Sequence, residues 1–587
     1  MVEQIEKAFD NAEKIGVIGS PSSTGQLTID ILGTAVNKSL VGSLSVFNFN
    51  QDGYDHYALG QIVEIVMQNI WSQDPTIRGL IRQKGRIDPI TERQDTHVAK
   101  MTVSSVFAKK SKAIEQSLLG TVPSTGTPIK ILNEEIMSSL LTDFSKQLFH
   151  LGMAYGTNVK MPMWFKHFGL GEFGAGEAYH IGIFGKTGSG KSVLAKMIMA
   201  AYSRHKEMSI FILDPQGEFS KDLREETPLK KVLERELSRT VQIYDLHSLV
   251  LTGDDLFKRI LVNSKFFESL GIFHETNRIQ AANAVEAILK ARARGGQGVL
   301  GPEIPPYRAH TRDAFDRVWN ALGTDAILNK IYSSPDLRNR VRTSIQSANP
   351  DDYYQMWVRI ANLFRFDGDV KIRIKELVTK IHEKQKRTND IVVIDLSERN
   401  IPDDILWNDM IKLVVIGEFL ERITQEAENV FKKDELLNSL VIIDEAHRLA
   451  PREKTENEDL ERVKETLIDA IRTTRKFGLG WMFISQTLSS LSREILDQIR
   501  IYIFGFGLGW GIERLALQEI IGGQREAMKL YQLFRDPQSS LTKREYPFMT
   551  VGPVSPLSFS GTPLFFNAMK YPDEFISANF GAKNGKQ

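Results

Sequence analysis

Cysteine is absent from all 587 residues. That excludes disulfides, thiolate metal sites and a cysteine nucleophile, and it fits a reducing compartment. An excess of charge of one sign is missing as well: 74 Lys and Arg stand against 73 Asp and Glu, a formal net charge of +1. Net charge therefore predicts neither a nucleic-acid binder nor a membrane-surface protein, and any basic site must be local. No strongly apolar run reaches the roughly 18 residues that span a bilayer. The longest, residues 501–512, contains glycines that read as strand and turn. The opening MVEQIEKAFDNAEK is polar and acidic and lacks the basic and apolar regions of a secretory signal. A cytoplasmic protein outside the membrane is the expectation.

What is present is enough apolar residue, 42%, for globular folding in a chain too long for one core. From about residue 16 to 132, short β-rich runs (27–32, 43–49, 61–67) alternate with Gly, Asn and Asp turns. They predict a small all-β unit. A helical pattern over 134–151 follows, and then a glycine-rich stretch at 169–177 that reads as a boundary. Beyond it, buried-strand patterns at 178–184, 209–213, 390–396, 439–443, 481–484 and 499–504 are spaced as a parallel sheet requires. Residues 217–389 are mostly helical in pattern, and over 278–293 Ile279, Ala282, Val285 and Leu289 share one face. The expected α/β architecture divides into a β unit with its following helix (1–150), a first core part (151–215), a helical insertion (216–389), a second core part (390–510) and a C-terminal segment (511–587).

The chemistry begins at Gly185, Lys186, Thr187, Gly188, Ser189, Gly190, Lys191 and Ser192, which match G-x-x-x-x-G-K-[ST] between a strand and a helix at 193–202. Glycines let successive N–H groups converge on phosphate oxygens at a helix N-terminus. Lys191 then reaches the β and γ phosphates of ATP, and Ser192 ligates Mg2+. The run SLVIIDE at 439–445 ends an apolar strand in two carboxylates. Asp444 is the candidate to hold Mg2+ through water and Glu445 to orient and deprotonate the attacking water. His447, within DEAH, reads as a structural or coupling residue, and no second motor core is present to make this a DEAH-box helicase.

Three further elements leave alternatives open. DPQGEFS at 214–220 either points Asp214 and Glu218 at the nucleotide or makes a turn. A helix expected over 460–477, with Leu460, Val463, Leu467 and Ile471 as its buried stripe and Gly478 as its stop, carries Arg472 and Arg475 near its end. They either complement the helix C-terminus or neutralise transition-state charge in a neighbouring subunit. Gln486, at a strand end, either senses the γ phosphate or caps a turn.

Together GKTGSGKS, ILDPQGEF, VIIDEAHRLAP, TRKFGLG followed by a strand and SQT, and VGPVSPLS at 551–558 resemble the HerA helicases of the HerA and FtsK superfamily over nearly the whole chain. The resemblance implies a RecA-like P-loop ATPase core with an N-terminal β-barrel. It also implies a homohexamer that threads double-stranded DNA and moves along it by ATP hydrolysis, beside a nuclease or a sirtuin-type NADase effector in antiviral defence or DNA end processing. By position it assigns the sensor to Gln486 and the trans-acting arginine to Arg475, with Arg472 second. The segment IRTTRKFG lacks the acidic, glycine-containing stretch that often precedes RKFG in the family.

A ring translocase needs local basic loops to hold phosphates. The candidates are Lys290, Arg292 and Arg294 before GGQG, and Arg452 with Lys454 beyond the Asp444 strand. Alternatives to a DNA motor are an assembly platform that organises and activates a partner effector under ATP control, and a conjugation or secretion motor, which would call for a membrane anchor.

Overall fold

The computed structural model describes residues 2–85, 94–110, 114–171, 173–224, 226–291, 302–366, 371–385, 390–398, 403–539, 541, 544–558 and 561–581. Strands β1 (Lys14–Ile18), β2 (Leu27–Ile31), β3 (Leu44–Gln51), β4 (Tyr54–Gln68), β5 (Thr96–Lys109), β6 (Ile114–Ser117) and β7 (Pro128–Ile131) form one sheet in the order β2-β1-β7-β3-β4-β5-β6. β2 also pairs with β5, so six strands close on themselves and leave β6 outside the ring. Closure removes exposed edges. Local sequence sets the hairpins: Asp52 and Gly53, both at positive φ, make the two-residue turn that puts Gln51 opposite Tyr54, the backbone that matches strand twist. Ile15, Ile18, Leu27, Ile29, Phe47, Ile62, Met101 and Ile129 fill the interior. The β unit read from the sequence is thus a barrel.

The helix expected over 134–151 is shorter. It runs Glu134–Leu140, capped by Asn133, and residues 148–154 are extended instead. The apolar spacing there serves a strand whose Phe149, Leu151 and Ala154 are buried, because pairing with distant strands overrides local periodicity. This strand, β8 (Leu148–Ala154), opens a second sheet, so the boundary expected at residue 150 falls inside it.

The other strands of that sheet are β9 (Lys160–Trp164), β10 (His180–Phe184), β11 (Ser209–Asp214) and β12 (Thr240–Tyr244). A separate short pair, β13 (Leu249–Val250) and β14 (Ile372–Arg373), lies between these and β15 (Asp390–Asp395), β16 (Ser439–Ile443), β17 (Leu479–Ser485), β18 (Ile499–Phe504), β19 (Pro547–Val551) and β20 (Leu564–Ala568). The order is β12-β15-β11-β16-β17-β10-β18-β19-β20-β8-β9. The first seven are parallel and the last four pair antiparallel. Every residue of β10, β11, β15, β16 and β17 is buried, which is why these stretches read as unbroken apolar runs.

Between β12 and β15 the chain is mainly helical, around a core of Phe257, Phe315 and Trp357. Helix Glu275–Lys290 buries Ala282, Val285 and Leu289 as expected, but Ile279 is exposed. The stripe also takes in Ala281, Ala284 and Ile288, which turns its centre away from Ile279.

Glycine in β17 marks a tight layer contact. A Cβ on Gly480 would lie 2.3 Å from Phe168 Cε2 and 3.0 Å from the Tyr179 carbonyl oxygen. Overpacking of this kind costs ~1–3 kcal/mol. Gly480→Ala should therefore lower the urea midpoint with an unchanged m-value; an unaltered midpoint would show that the neighbours yield without cost.

Candidate functional site

The C-terminal ends of the parallel strands converge on one edge, where ligands of open α/β sheets bind. β10 runs into the loop 185–190, and Gly190, at φ 88°, caps the helix Lys191–Tyr202. The loop is held from outside: a Cβ on Gly188 would meet the Gln538 amide nitrogen at 2.3 Å, and one on Gly190 would meet the Tyr546 ring at 2.9 Å. Below, the Lys186 N–H donates to the Phe506 carbonyl at 2.9 Å. Lys191 is buried and its ammonium donates to the Lys186 carbonyl at 3.1 Å. Burial pushes its pKa down, against the pull of Glu445, Asp444 and Glu218.

β16 delivers the acidic pair. Asp444 is 4% exposed, and its carboxyl is pushed up to about 7, first by burial and then by Glu445, Glu218 and Asp214. Glu445 sits at φ 52°, a left-handed conformation that costs a non-glycine residue ~1–3 kcal/mol and is kept where function fixes geometry. Its N–H donates to Asp444 Oδ1 at 2.9 Å. Its Oε1 accepts from Gln486 Nε2 at 2.8 Å, and Gln486 Oε1 accepts from the Thr187 hydroxyl at 3.1 Å. A hydrogen-bond chain thus runs from the loop through the end of β17 to Glu445.

The other carboxylate oxygen, Glu445 Oε2, is buried without a hydrogen-bond partner among the described residues, as is Ser189 Oγ. His447 Nδ1 stands 3.4 Å from Glu445 Oε2 and 3.2 Å from Ser485 Oγ. Burial lowers the His447 pKa, against the pull of Glu445, and the contact is not a hydrogen bond to that oxygen. Buried polar atoms are ordinarily paired; Ser189 Oγ packs toward Gly185 and Gly505, where an added Cβ would meet it at 2.7 Å and 3.2 Å, whereas Glu445 Oε2 belongs to the carboxylate that faces Asp444 and Lys191.

The remaining residues separate. Asp214 is fully buried and accepts from the N–H groups of Glu218 at 3.1 Å and Ser220 at 2.7 Å, together with the Ser220 hydroxyl at 2.7 Å. It anchors the turn that the alternative reading of DPQGEFS described. Glu218 is exposed, close enough to influence Asp444 and Lys191. Arg472 and Arg475 close the helix Glu458–Thr474 and the turn after it, which Gly478 ends at φ 76°. They precede β17, so its seven residues, about 23 Å at strand rise, separate Arg475 from Gln486. Arg475 cannot serve the site of its own chain; there it pairs with Glu177 at 3.6 Å.

Sequence reading missed the parts that hold the loop. Gln538 and Tyr546 come from the C-terminal segment, and Tyr531 donates to the Gly505 carbonyl at 2.6 Å and accepts from the Leu508 N–H at 3.0 Å. Asp395, at the end of β15, pairs with Arg224 at 3.0 Å. Of these only Asp395, at a strand end, carried a signal in the sequence.

Ser192, Asp444 and the neighbouring carboxylate charge suit a hard divalent cation. Among the described residues no three acidic or imidazole groups form a metal cage of their own.

The class that this fold and site define is a P-loop ATPase with an N-terminal barrel. Over residues 178–423 the chain matches the family model described as helicase HerA, central domain; the match covers less than half of the chain. Solved structures with a similar arrangement include the genome packaging NTPase B204 from Sulfolobus turreted icosahedral virus 2 with AMPPCP (11% identity, 67% of this chain and 98% of that one, TM-score 0.28). They also include VirB4 of Thermoanaerobacter pseudethanolicus (16%, 72% and 97%, 0.36) and the bacterial conjugative coupling protein TrwBdeltaN70 (15%, 55% and 68%, 0.29). No curated protein matches the chain. No helix among the described residues is long and apolar enough to cross a membrane.

Asp444 gives a pH test. Its folded pKa lies above that of an ordinary aspartate, so its ionisation opposes folding: the penalty is absent near pH 3, grows as pH rises, and is complete above about 7. Without nucleotide or Mg2+, Asp444→Asn should raise Tm at pH 8 by several degrees and leave it nearly unchanged at pH 3.5. Equal Tm values at pH 8 would mean that the carboxylate is not destabilised there.

Proposed function

We propose that this protein is an ATP-driven translocase of double-stranded DNA, working as a homohexamer beside a nuclease or NADase effector. The observation that supports the reading most is the Thr187–Gln486–Glu445 chain between the phosphate loop and the acidic pair. In this reading the loop N–H groups and Lys191 bind the β and γ phosphates of ATP. Ser192 and Asp444 hold Mg2+, which supplies charge neutralisation at the phosphates when bound. Glu445 positions a water at its open Oε2 and takes its proton as the water oxygen bonds to the γ phosphorus and the bond to ADP breaks. Gln486 fixes the carboxylate for that task, and Arg475, with Arg472 second, acts on a neighbour's site.

For DNA, exposed Arg452 and Lys454 are the better candidates. Their loop is joined to the end of the sensor segment by the Arg452 N–H donating to the Ser490 carbonyl at 2.8 Å, so changes at Gln486 reach it. Lys290 is engaged by Asp254 at 2.6 Å and Glu286 at 2.8 Å. Arg292, Arg294 and the GGQG segment lie outside the described residues.

The second reading, an ATP-controlled assembly platform, also has a specific support. Lys529 pairs with the barrel's Glu64 at 2.8 Å on the same helix, Arg525–Gln532, whose Tyr531 braces the loop under the P-loop. Nucleotide state could thereby reach the barrel without DNA.

Lys191→Ala should lose nucleotide binding in a fluorescent-nucleotide titration, and undiminished binding would remove the phosphate-loop assignment. Hydrolysis measured with and without linear duplex DNA at moderate salt should be stimulated by the duplex, and Glu445→Gln should bind ATP yet turn over at least 100-fold more slowly. Hydrolysis indifferent to DNA would favour the platform. Mixing Arg475→Ala with Lys191→Ala chains should restore part of the activity that each lacks; no recovery would count against an arginine supplied in trans.

A further inference from the structure

Three neighbouring strands, β17, β10 and β18, end at one edge of the sheet in Gln486, the phosphate loop and the loop 505–511. At the opposite edge they start beside Arg475, Glu177 and Arg500. Both edges carry apolar side chains that the chain itself leaves in water. At the nucleotide edge these are Trp510, 78% exposed, with Ile512 and Leu515 one turn apart on the helix Gly511–Ile520 at 70% and 66%. At the other edge they are Leu170, 72% exposed, and Phe173, 36%. The loop that holds them is folded by Ala175 N–H donating to the His167 carbonyl at 2.8 Å and Gly176 N–H to the Gly169 carbonyl at 3.2 Å. A Cβ on Gly176 would stand 4.0 Å from Leu170 Cδ2, which sets Leu170 next to Glu177.

Charge is complementary across the two edges. At the first, the carboxylates of Asp444, Glu445, Glu218 and Asp214 outnumber the one ammonium among them, Lys191, and Glu218 is exposed. At the second, one carboxylate, Glu177, lies between two exposed guanidinium groups, 3.6 Å from Arg475 and 3.3 Å from Arg500. Exposed apolar residues flanked by charge mark association surfaces, and two different patches at opposite ends of one molecule suit a head-to-tail contact that repeats from copy to copy.

The nucleotide-edge patch is also wired to the site. Glu513, on the same helix as Ile512 and Leu515, accepts the Leu488 N–H at 2.8 Å, the Ser489 N–H at 3.3 Å and the Ser489 hydroxyl. These groups directly follow Gln486 in the chain. This charge-assisted set of hydrogen bonds ties the helix to the turn after Gln486, whose amide donates to Glu445.

We propose that Leu170, Phe173, Arg475 and Arg500 of one copy of this chain seat on Trp510, Ile512 and Leu515 of the next, and that Glu513 transmits this seating to Gln486. Arg500 thereby joins Arg475 as a second arginine presented to the neighbour's site. The inference rests on the reading of Arg475 as acting in trans.

A chain without cysteine permits a direct test. Full-length Leu170→Cys and Trp510→Cys variants are treated with a short bismaleimide cross-linker, separately and mixed, and their mass is followed by sedimentation. Covalent dimers in the mixture only are expected. Cross-linking of either variant alone to the same extent would mean a symmetric contact and overturn the proposal. An oligomer by sedimentation with no cross-link in the mixture would overturn the assignment of these surfaces and leave the homohexamer reading in place. Monomers at every concentration would overturn both, while nucleotide binding by the parent chain and its loss in Lys191→Ala would still support the ATPase. Phe173→Cys with Ile512→Cys provides a second pair should one variant fail to fold. For the coupling, Glu513→Gln introduced into the Leu170→Cys and Trp510→Cys pair should preserve the cross-link while lowering turnover at saturating ATP several-fold with little change in KM; unaltered turnover would overturn the transmission through Glu513.

Discussion

Two strand spacings, about 9–10 Å, separate the strand that ends in the phosphate loop from the strand that ends in Asp444 and Glu445, because β17 runs between them. The rest of the site depends on that gap. Adjacent strands would press the carboxylates against Lys191 and leave no room for a phosphate and a water. A wider separation would put the base out of reach. The inserted strand also fills the gap from below, and its last residues lead into Gln486, whose amide has one end for each side: the carbonyl for Thr187, the NH2 for Glu445.

Electrostatics at the same edge is held in tension. Burial disfavours the charge on Lys191 and on Asp444, and the acidic neighbours that help the first hinder the second. The chain also holds Glu445 in a left-handed conformation and, among the described residues, leaves Ser189 Oγ and one oxygen of Glu445 without a hydrogen-bond partner. None of these features stabilises the protein alone. A divalent cation beside a polyanion would offset the crowded charge at Asp444 and a water would pair Glu445 Oε2, while the strain at Glu445 is held by the fold around it.

How much of this was legible in sequence follows from which interactions are local. The phosphate loop, the Asp444–Glu445 pair and the buried strands were readable because β-periodicity, glycine spacing and helix caps act within a few residues. An all-β unit was readable from its turns, the barrel only as what the family resemblance implies, and its closure through β2 and β5 not at all. Strand β8 was mistaken for helix since its apolar spacing fits both periods, and only pairing with β9 and β20 decides between them. Gln538 and Tyr546 were invisible for the same reason: more than 300 residues separate them from the loop they meet, and glutamine or tyrosine in a C-terminal segment, Tyr531 included, carries no spacing signal.

Those distant residues change what the antiparallel half of the sheet is for. Strands β19, β20, β8 and β9 contribute no residue to the nucleotide edge, yet they carry the sheet from β18 toward the barrel. Tyr155, just past β8, packs its ring on Phe534 at 5.6 Å, and Phe534 packs on Tyr531 at 4.9 Å. Gln61 of β4 donates to the Gly42 carbonyl at 2.6 Å, and a Cβ on Gly42 would lie 2.4 Å from the Tyr155 ring. A continuous path of packed groups therefore leads from the barrel wall through Tyr155, Phe534 and Tyr531 to Gly505 and the phosphate loop. Close-packed interiors transmit displacement because they compress so little. Lys529 and Glu64 tie the barrel to the same helix, so the loop and the barrel wall share one packed connection rather than two independent ones.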